Sequence, residues 1–367
     1  MLPAETGWTV TLPAAPSADA ALDDLQIYIP LADGTLVAVD RQTGNTRWTA
    51  PTPGTTTPAA MADLVLVAGP ERLVAVDRAT GAPRWAAAGS FGRLLAAGSL
   101  VVATSTPQPG ATTIAVSARR PADGQVAWTR QVVDGGDVRG LVADDATIVV
   151  AFAGGRVVAL NRHDGAQRWV RVLPGDVTAP VLARDRVFVG STDNSFTALD
   201  AASGQVAWRV RTGGDVVSLA TDGVYVFIAA LDNVLRAVNR SNGHQRWKQP
   251  LSTRPLPGLV VAGESLLLPG LAPVMSNFDA RTGAPRGTFS PPGDTALQGP
   301  PLMDTAPRPF RVSLLAVLRD GRVLGLRPTE LMFREAAGTL PQEVLGRPLT
   351  REAPPAAIRR EPRPNAR

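Results

Sequence analysis

Side chains able to carry chemistry are few in this chain, and their spacing favours binding through charge over catalysis. Gly-Asp-Val recurs as Gly136-Asp137-Val138, Gly175-Asp176-Val177 and Gly214-Asp215-Val216, with Gly293-Asp294 as a fourth, partial copy. From 137 to 176 and from 176 to 215 the step is 39 residues. Carboxylates repeated at one structural position give fields that add, and such a rim takes a cation or a basic segment of a partner. The simpler reading has each aspartate cap its own turn. Asp137, Asp176, Asp215 and Asp294 are the candidate partner-binding rim.

No other set of groups suits a reaction. The 367 residues include no cysteine, which excludes a thiolate nucleophile, a disulfide and a thiolate-bound metal. His163 and His244 are the two histidines. Both fall in the turn of the repeat described below, as solvated residues, with no H-x-x-x-H spacing. No glycine-rich phosphate loop precedes a helix. The sequence therefore assigns no catalytic, cofactor-binding or metal-ligating residue, and no cofactor is expected.

The elements that must position these aspartates are legible from self-similarity. AVDRQTGNTRW ends at Trp48, AVDRATGAPRW at Trp85, ALNRHDGAQRW at Trp169, ALDAASGQVAW at Trp208 and AVNRSNGHQRW at Trp247. A looser copy, AVSARRPADGQVAW, ends at Trp128, and NFDARTGAPRGTF has Gly287 in the tryptophan position, with Phe289 as its substitute. Thr6-Gly7-Trp8 is the tail of one further copy. The tryptophans at 8, 48, 85, 128, 169, 208 and 247 are 40, 37, 43, 41, 39 and 39 apart. A period near 40 with valine-rich runs and glycine turns means propeller blades; a helical array would show apolar spacings of three and four.

Each motif has a physical reading. Asp40 ends one strand and its carboxylate accepts amides of the following turn. Gly44 supplies the positive φ that the hairpin needs. Trp48 opens the return strand as a wedge between blades, opposite a small Ala38 that leaves room for the ring. Trp8, Trp48, Trp85, Trp128, Trp169, Trp208 and Trp247 are thus structural. Seven copies, plus a block at 297–327 that lacks an outer strand, plus the orphan Trp8 strand, give eight four-stranded blades. The expected fold is all-β, a single eight-bladed propeller over residues 1–327, closed by the N-terminal strand.

Arg41, Arg78, Arg162, Arg240 and Arg281 occupy the hairpin turns, and Arg47, Arg84, Arg168 and Arg246 precede tryptophans. They are expected to be solvated on the face opposite the aspartates. Lys+Arg number 37 and Asp+Glu 32, a formal charge of +5, with Lys248 the only lysine. The signs are interspersed, so no nucleic-acid partner is expected. No apolar run is long enough to span a bilayer, and no signal peptide opens the chain. The compartment is then cytoplasmic, or extracytoplasmic if the numbering starts after a removed export segment. From 328 to 367 the composition turns Pro- and Arg-rich, with a short helix expected over Thr329–Ala336 and disorder beyond Pro348.

The pattern A-x-D-x-x-T-G-x-x-x-W resembles the pyrroloquinoline-quinone-type propeller repeat family over residues 5–327. That family holds quinone-dependent dehydrogenases and cofactor-free scaffolds. The layout is most similar to the propeller lipoproteins of the bacterial outer-membrane β-barrel assembly machine. This resemblance implies a monomeric, non-catalytic, periplasmic scaffold that holds a protein partner through loops on one face. A quinone-dependent dehydrogenase-like protein and a carbohydrate-binding propeller are the alternatives. The dehydrogenases carry a disulfide against the quinone and long capping insertions, neither of which this sequence has.

Overall fold

A computed structural model describes residues 4–52, 54–106, 113–133, 136–303 and 312–328. The chain divides after Thr329; the second unit, Glu330–Arg367, lies outside the described residues, and with it the helix expected at 329–336. Eight four-stranded antiparallel sheets form the first unit as a propeller ring. Blade 1 spans residues 21–51, blade 2 59–88, blade 3 91–133 and blade 4 138–172. Blade 5 spans 181–211, blade 6 216–250 and blade 7 260–289. In blade 8 the strands Leu302–Met303, Leu314–Val317 and Arg322–Pro328 receive Ala4–Thr11 as the outermost fourth. Trp8 pairs with Gly325 there, so the two chain ends close the ring as the orphan repeat halves imply.

Burial explains the strand composition. The second strands of blades 1, 2 and 4 (Gln26–Pro30, Leu64–Ala68 and Thr147–Phe152) are buried at every residue, because each blade is covered on both faces by its neighbours. Those strands read as continuous apolar runs for that reason. Outer strands alternate instead: in Thr46–Pro51 only Trp48 and Ala50 are buried. Turns joining second to third strands share one face with the crossovers to the next blade. Turns joining first to second and third to fourth strands share the other.

The tryptophan wedge has three parts. Trp48 pairs with Ala38 and Thr46 with Val39, so Arg47 is an extra residue in a β-bulge that re-aims the indole. The same register shift recurs before Trp85, Trp128, Trp169, Trp208 and Trp247. Each indole Nε1 then donates to a carbonyl in the hairpin turn of the next blade: Trp48 to Arg78 at 3.0 Å, Trp169 to Ala201 at 2.9 Å, Trp247 to Ala280 at 3.0 Å. Finally the ring lies flat on that turn's glycine. A Cβ on Gly81, where φ is +73°, would stand 2.5 Å from the Trp48 ring. The glycine of the motif thus serves its own turn and the tryptophan of the preceding blade.

Blade 7 breaks the pattern where its successor offers no such turn. Gly287 faces Asn277 where blades 1 to 6 pair tryptophan with alanine. Phe289, two residues on, packs with Leu314, Leu326 and Ala4 of blade 8. Asn277 is wholly buried, and neither its Oδ1 nor its Nδ2 has a hydrogen-bond partner among the described residues.

Candidate functional site

Three of the four rim aspartates share one backbone position on the crossover into the innermost strand of their blade, directly before it for Asp137 and Asp215 and five residues before it for Asp176. The carbonyl of Asp137 accepts from Ala153 N at 2.7 Å, that of Asp176 from Thr192 N at 2.9 Å and that of Asp215 from Leu231 N at 2.8 Å. Ala15, Ser90, Arg254 and Ala296 make the matching bond in blades 1, 3, 7 and 8. Asp294 does not share this register. It lies two residues before Ala296, in a short turn over Pro292–Asp294, exposed and at φ +51°. The repeated position is therefore an arc across blades 4, 5 and 6, with Asp294 elsewhere on the same face.

Their carboxylates differ. Asp137 is exposed and Asp215 half-buried. Asp176 forms an ion pair with Arg139 of the preceding blade, and its Oδ1 accepts the amides of Val177 at 2.9 Å and Gly154 at 3.3 Å. Partial burial pushes this carboxyl up, but the Arg139 bond and charge outweigh it and hold it below the usual carboxylate range. Asp176 thus both caps its own turn and ties two blades together.

Asp137, at one end of the arc, lines a cavity of about 620 Å³. Its walls come from the starts of the innermost strands and the segments leading into them: Asp19 of blade 1, Thr55 to Thr57 of blade 2, Arg93 of blade 3, Asp137 to Leu141 of blade 4 and Ala179 before blade 5. Segments from five consecutive blades meet in one place only around the ring axis, so the cavity is the mouth of the central channel. Arg93 Nε donates to the Val138 carbonyl at 3.0 Å, which fixes its guanidinium on the wall. Asp19 is half-buried, and its carboxylate accepts no hydrogen bond among the described residues. Burial pushes its carboxyl above the usual range, and the Arg93 charge opposes this without cancelling it. Among the described residues no group of three or more His, Asp or Glu side chains is placed to hold a metal ion.

Asp19, Arg93 and Arg139 escape the sequence motif because they stand outside Gly-Asp-Val. The signal that finds them is any charged residue within a few positions of an innermost strand's first residue.

On the opposite face the arginines depart from expectation. Arg41 is buried, its Nη1 on the Asp23 carbonyl at 3.1 Å. Arg78 of blade 2 reaches Asp23 of blade 1 at 3.4 Å, and Arg240 of blade 6 bonds Asp185 of blade 5 at 2.5 Å. Arg162 of blade 4 packs its guanidinium against Gly98 of blade 3. Arg78, Arg162 and Arg240 join neighbouring blades, because a turn that receives one blade's tryptophan also meets that blade's first turn. Arg281 alone of the five is exposed. Arg47 and Arg84 bond back to the carboxylates of their own turns, Asp40 and Asp77. His163 and His244 are exposed in their turns.

A ring of eight blades, seven of them with a tryptophan wedge and most with a repeat of the A-x-D-x-x-T-G-x-x-x-W type, defines a β-propeller of the pyrroloquinoline-quinone-type repeat class. The family described as outer membrane protein assembly factor BamB matches residues 4–130, 32–176 and 112–256, and the chain belongs to that family. Among solved structures, BamB from Moraxella catarrhalis is similar at 18% identity and TM-score 0.66, over 88% of this chain and 97% of that one. The computationally designed Ika8 protein matches at 15% identity and TM-score 0.72, over 86% and 97%. A quinohemoprotein alcohol dehydrogenase, ADHIIG from Pseudomonas putida HK5, matches at 12% identity and TM-score 0.68, over 88% of this chain and 76% of that one. At such identities the likeness is one of fold. Comparison with functionally curated proteins finds no match.

Proposed function

We propose that this chain is a non-catalytic, monomeric, extracytoplasmic scaffold that acts in outer-membrane protein assembly and holds a protein partner at the crossover face. The observation that carries this reading is the family match between residues 4 and 256. The contact surface is the channel mouth with its arc of Asp137, Asp176 and Asp215, and Asp294 further along the same face. The lack of any cysteine, which removes the disulfide of the quinone enzymes, supports the non-catalytic reading.

Depleting the protein from its host is expected to lower the amount of folded outer-membrane β-barrels, scored by heat-modifiable migration in gels, with recovery on re-expression. Unchanged barrel levels would contradict the reading. Turnover of alcohols or sugars by the purified chain with pyrroloquinoline quinone, Ca²⁺ and a dye acceptor would favour a dehydrogenase instead. Converting Asp137, Asp176 and Asp215 to Asn together is expected to slow partner association and flatten its salt dependence, because clustered charge steers encounter and is screened by ions. Association rates with an unaltered salt slope would reduce these aspartates to turn residues.

A further inference from the structure

Outside the repeated motif, one half-buried carboxylate lines the channel-mouth cavity. Asp19 lies on the cavity wall, half-buried, with no hydrogen bond to its carboxylate among the described residues. Its Oδ1 is close against Gly299 of blade 8: a Cβ on that glycine would stand 2.5 Å away. Asp40, Asp77, Asp200 and Asp279 in the hairpin turns each accept two backbone amides, and Asp77 also bonds an arginine. A half-buried carboxylate without hydrogen bonds is short of donors, and a donor entering the cavity supplies them.

We propose that the channel-mouth cavity receives one cationic side chain, arginine or lysine, from a polypeptide partner, with Asp19 as its counter-ion and Arg93 as donor to the adjoining peptide carbonyl. This rests on the scaffold reading and names the chemistry of its central contact. The volume of about 620 Å³ falls within the roughly 300–1,000 Å³ of pockets that enclose groups of this size. The lining offers carboxylate, guanidinium and hydroxyl side by side: Asp19 and Asp137, Arg93, and the exposed Thr55 and Thr57. Arg139 is withheld from the site by its ion pair with Asp176. A basic side chain supplies the donors that Asp19 lacks, and the backbone it belongs to supplies acceptors for Arg93 and the threonines. A polyanion would meet Asp19 unfavourably. A hard divalent ion needs several oxygen ligands at once, and the described residues provide no such group.

The test is titration of the full chain at neutral pH with N-acetyl-arginine amide and with its uncharged isostere N-acetyl-citrulline amide, followed by NMR chemical shifts. Saturable binding is expected for the arginine compound only. Asp19→Asn keeps the shape and removes the charge, and it should weaken binding by about tenfold or more, the order expected for a charge-assisted hydrogen bond. Gly299→Ala keeps the charge but displaces the carboxylate, and should also weaken binding. Asp222→Asn, in a turn on the opposite face, should leave it unchanged. Circular dichroism confirms that each variant is folded. Equal binding of arginine and citrulline compounds, no binding of either, or undiminished binding by Asp19→Asn overturns the proposal. The two readings fail separately. Arginine binding without an effect of depletion on β-barrels removes the scaffold role and leaves the pocket; the converse removes the pocket.

Discussion

Glycine at the hairpin turns answers to two constraints, and only one of them is local. Gly81 sits at φ +73° and also beneath the Trp48 ring, whereas Gly34 sits at φ +84° with nothing within 4 Å of its virtual Cβ. Gly34→Ala should cost only the left-handed backbone penalty, about 1–2 kcal/mol. Gly81→Ala adds a clash in a packed interface, for a total of about 2–5 kcal/mol. Urea unfolding of the two variants measures the difference; equal losses would deny the stacking role. The turn half of this account was legible in the sequence, since Asp-x-x-Thr-Gly specifies its own geometry. The stacking half was not, because the residue that needs the bare glycine lies in the blade before. Asp19 makes a second residue-scale prediction. Its folded-state pKa is raised, so its protonated form favours the fold, and that contribution is lost as pH rises through the folded value. Asp19→Asn should therefore melt higher than wild type at neutral pH, with the gap closing on acidification. A lower melting temperature at pH 7 would contradict the burial argument.

At the scale of the element, the hairpin turns are small charge clusters with a definite pH response. Hydrogen bonds from the Arg84 side chain and from Thr80 hold the Asp77 carboxyl down at about 2. Asp40, Asp123, Asp200 and Asp279 are lowered as well. A lowered folded pKa contributes stability above the unfolded value of about 3.9, and that stability is lost as pH falls towards the folded value. Melting temperature should therefore drop steeply between about pH 4 and pH 2, and less so for Asp77→Asn. Identical acid profiles for variant and wild type would show that the turn carboxylates are energetically silent. The sequence placed the arginines in these turns correctly but could not tell solvated from buried. Whether Arg78 meets water or Asp23 depends on the neighbouring blade's first turn, which is a matter of ring geometry and not of local pattern. The break in blade 7 was partly legible, for Gly287 in place of tryptophan is visible as text. Its cause is spatial: the next blade has no hairpin there, because its outer strand comes from the other end of the chain.

Across the whole molecule, the ring depends on Ala4–Thr11 as the fourth strand of blade 8, with Trp8 donating to the Arg41 carbonyl of blade 1 at 3.3 Å. Deleting residues 1–11 would bare the Arg322–Pro328 strand as an unpaired edge and free one wedge. The shortened chain should lose its cooperative unfolding transition and self-associate, as size-exclusion chromatography would report. A monomeric, cooperatively folded product would mean that closure is dispensable. Eight blades can be counted in the sequence alone, because the period and the orphan halves are written in the chain. Where the blades converge cannot, since the channel mouth gathers residues as distant as Asp19 and Gly299, which share no motif. The central claim is that a partner is held at this mouth. It is tested most directly by placing a photo-crosslinking amino acid at Thr57, on the cavity wall, and in a second protein at Thr43, in an exposed turn of the opposite face. Illumination in living cells should join the Thr57 variant to a discrete envelope protein and leave the Thr43 variant free. Adducts from Thr43 alone, or the same adducts from both positions, would contradict the account.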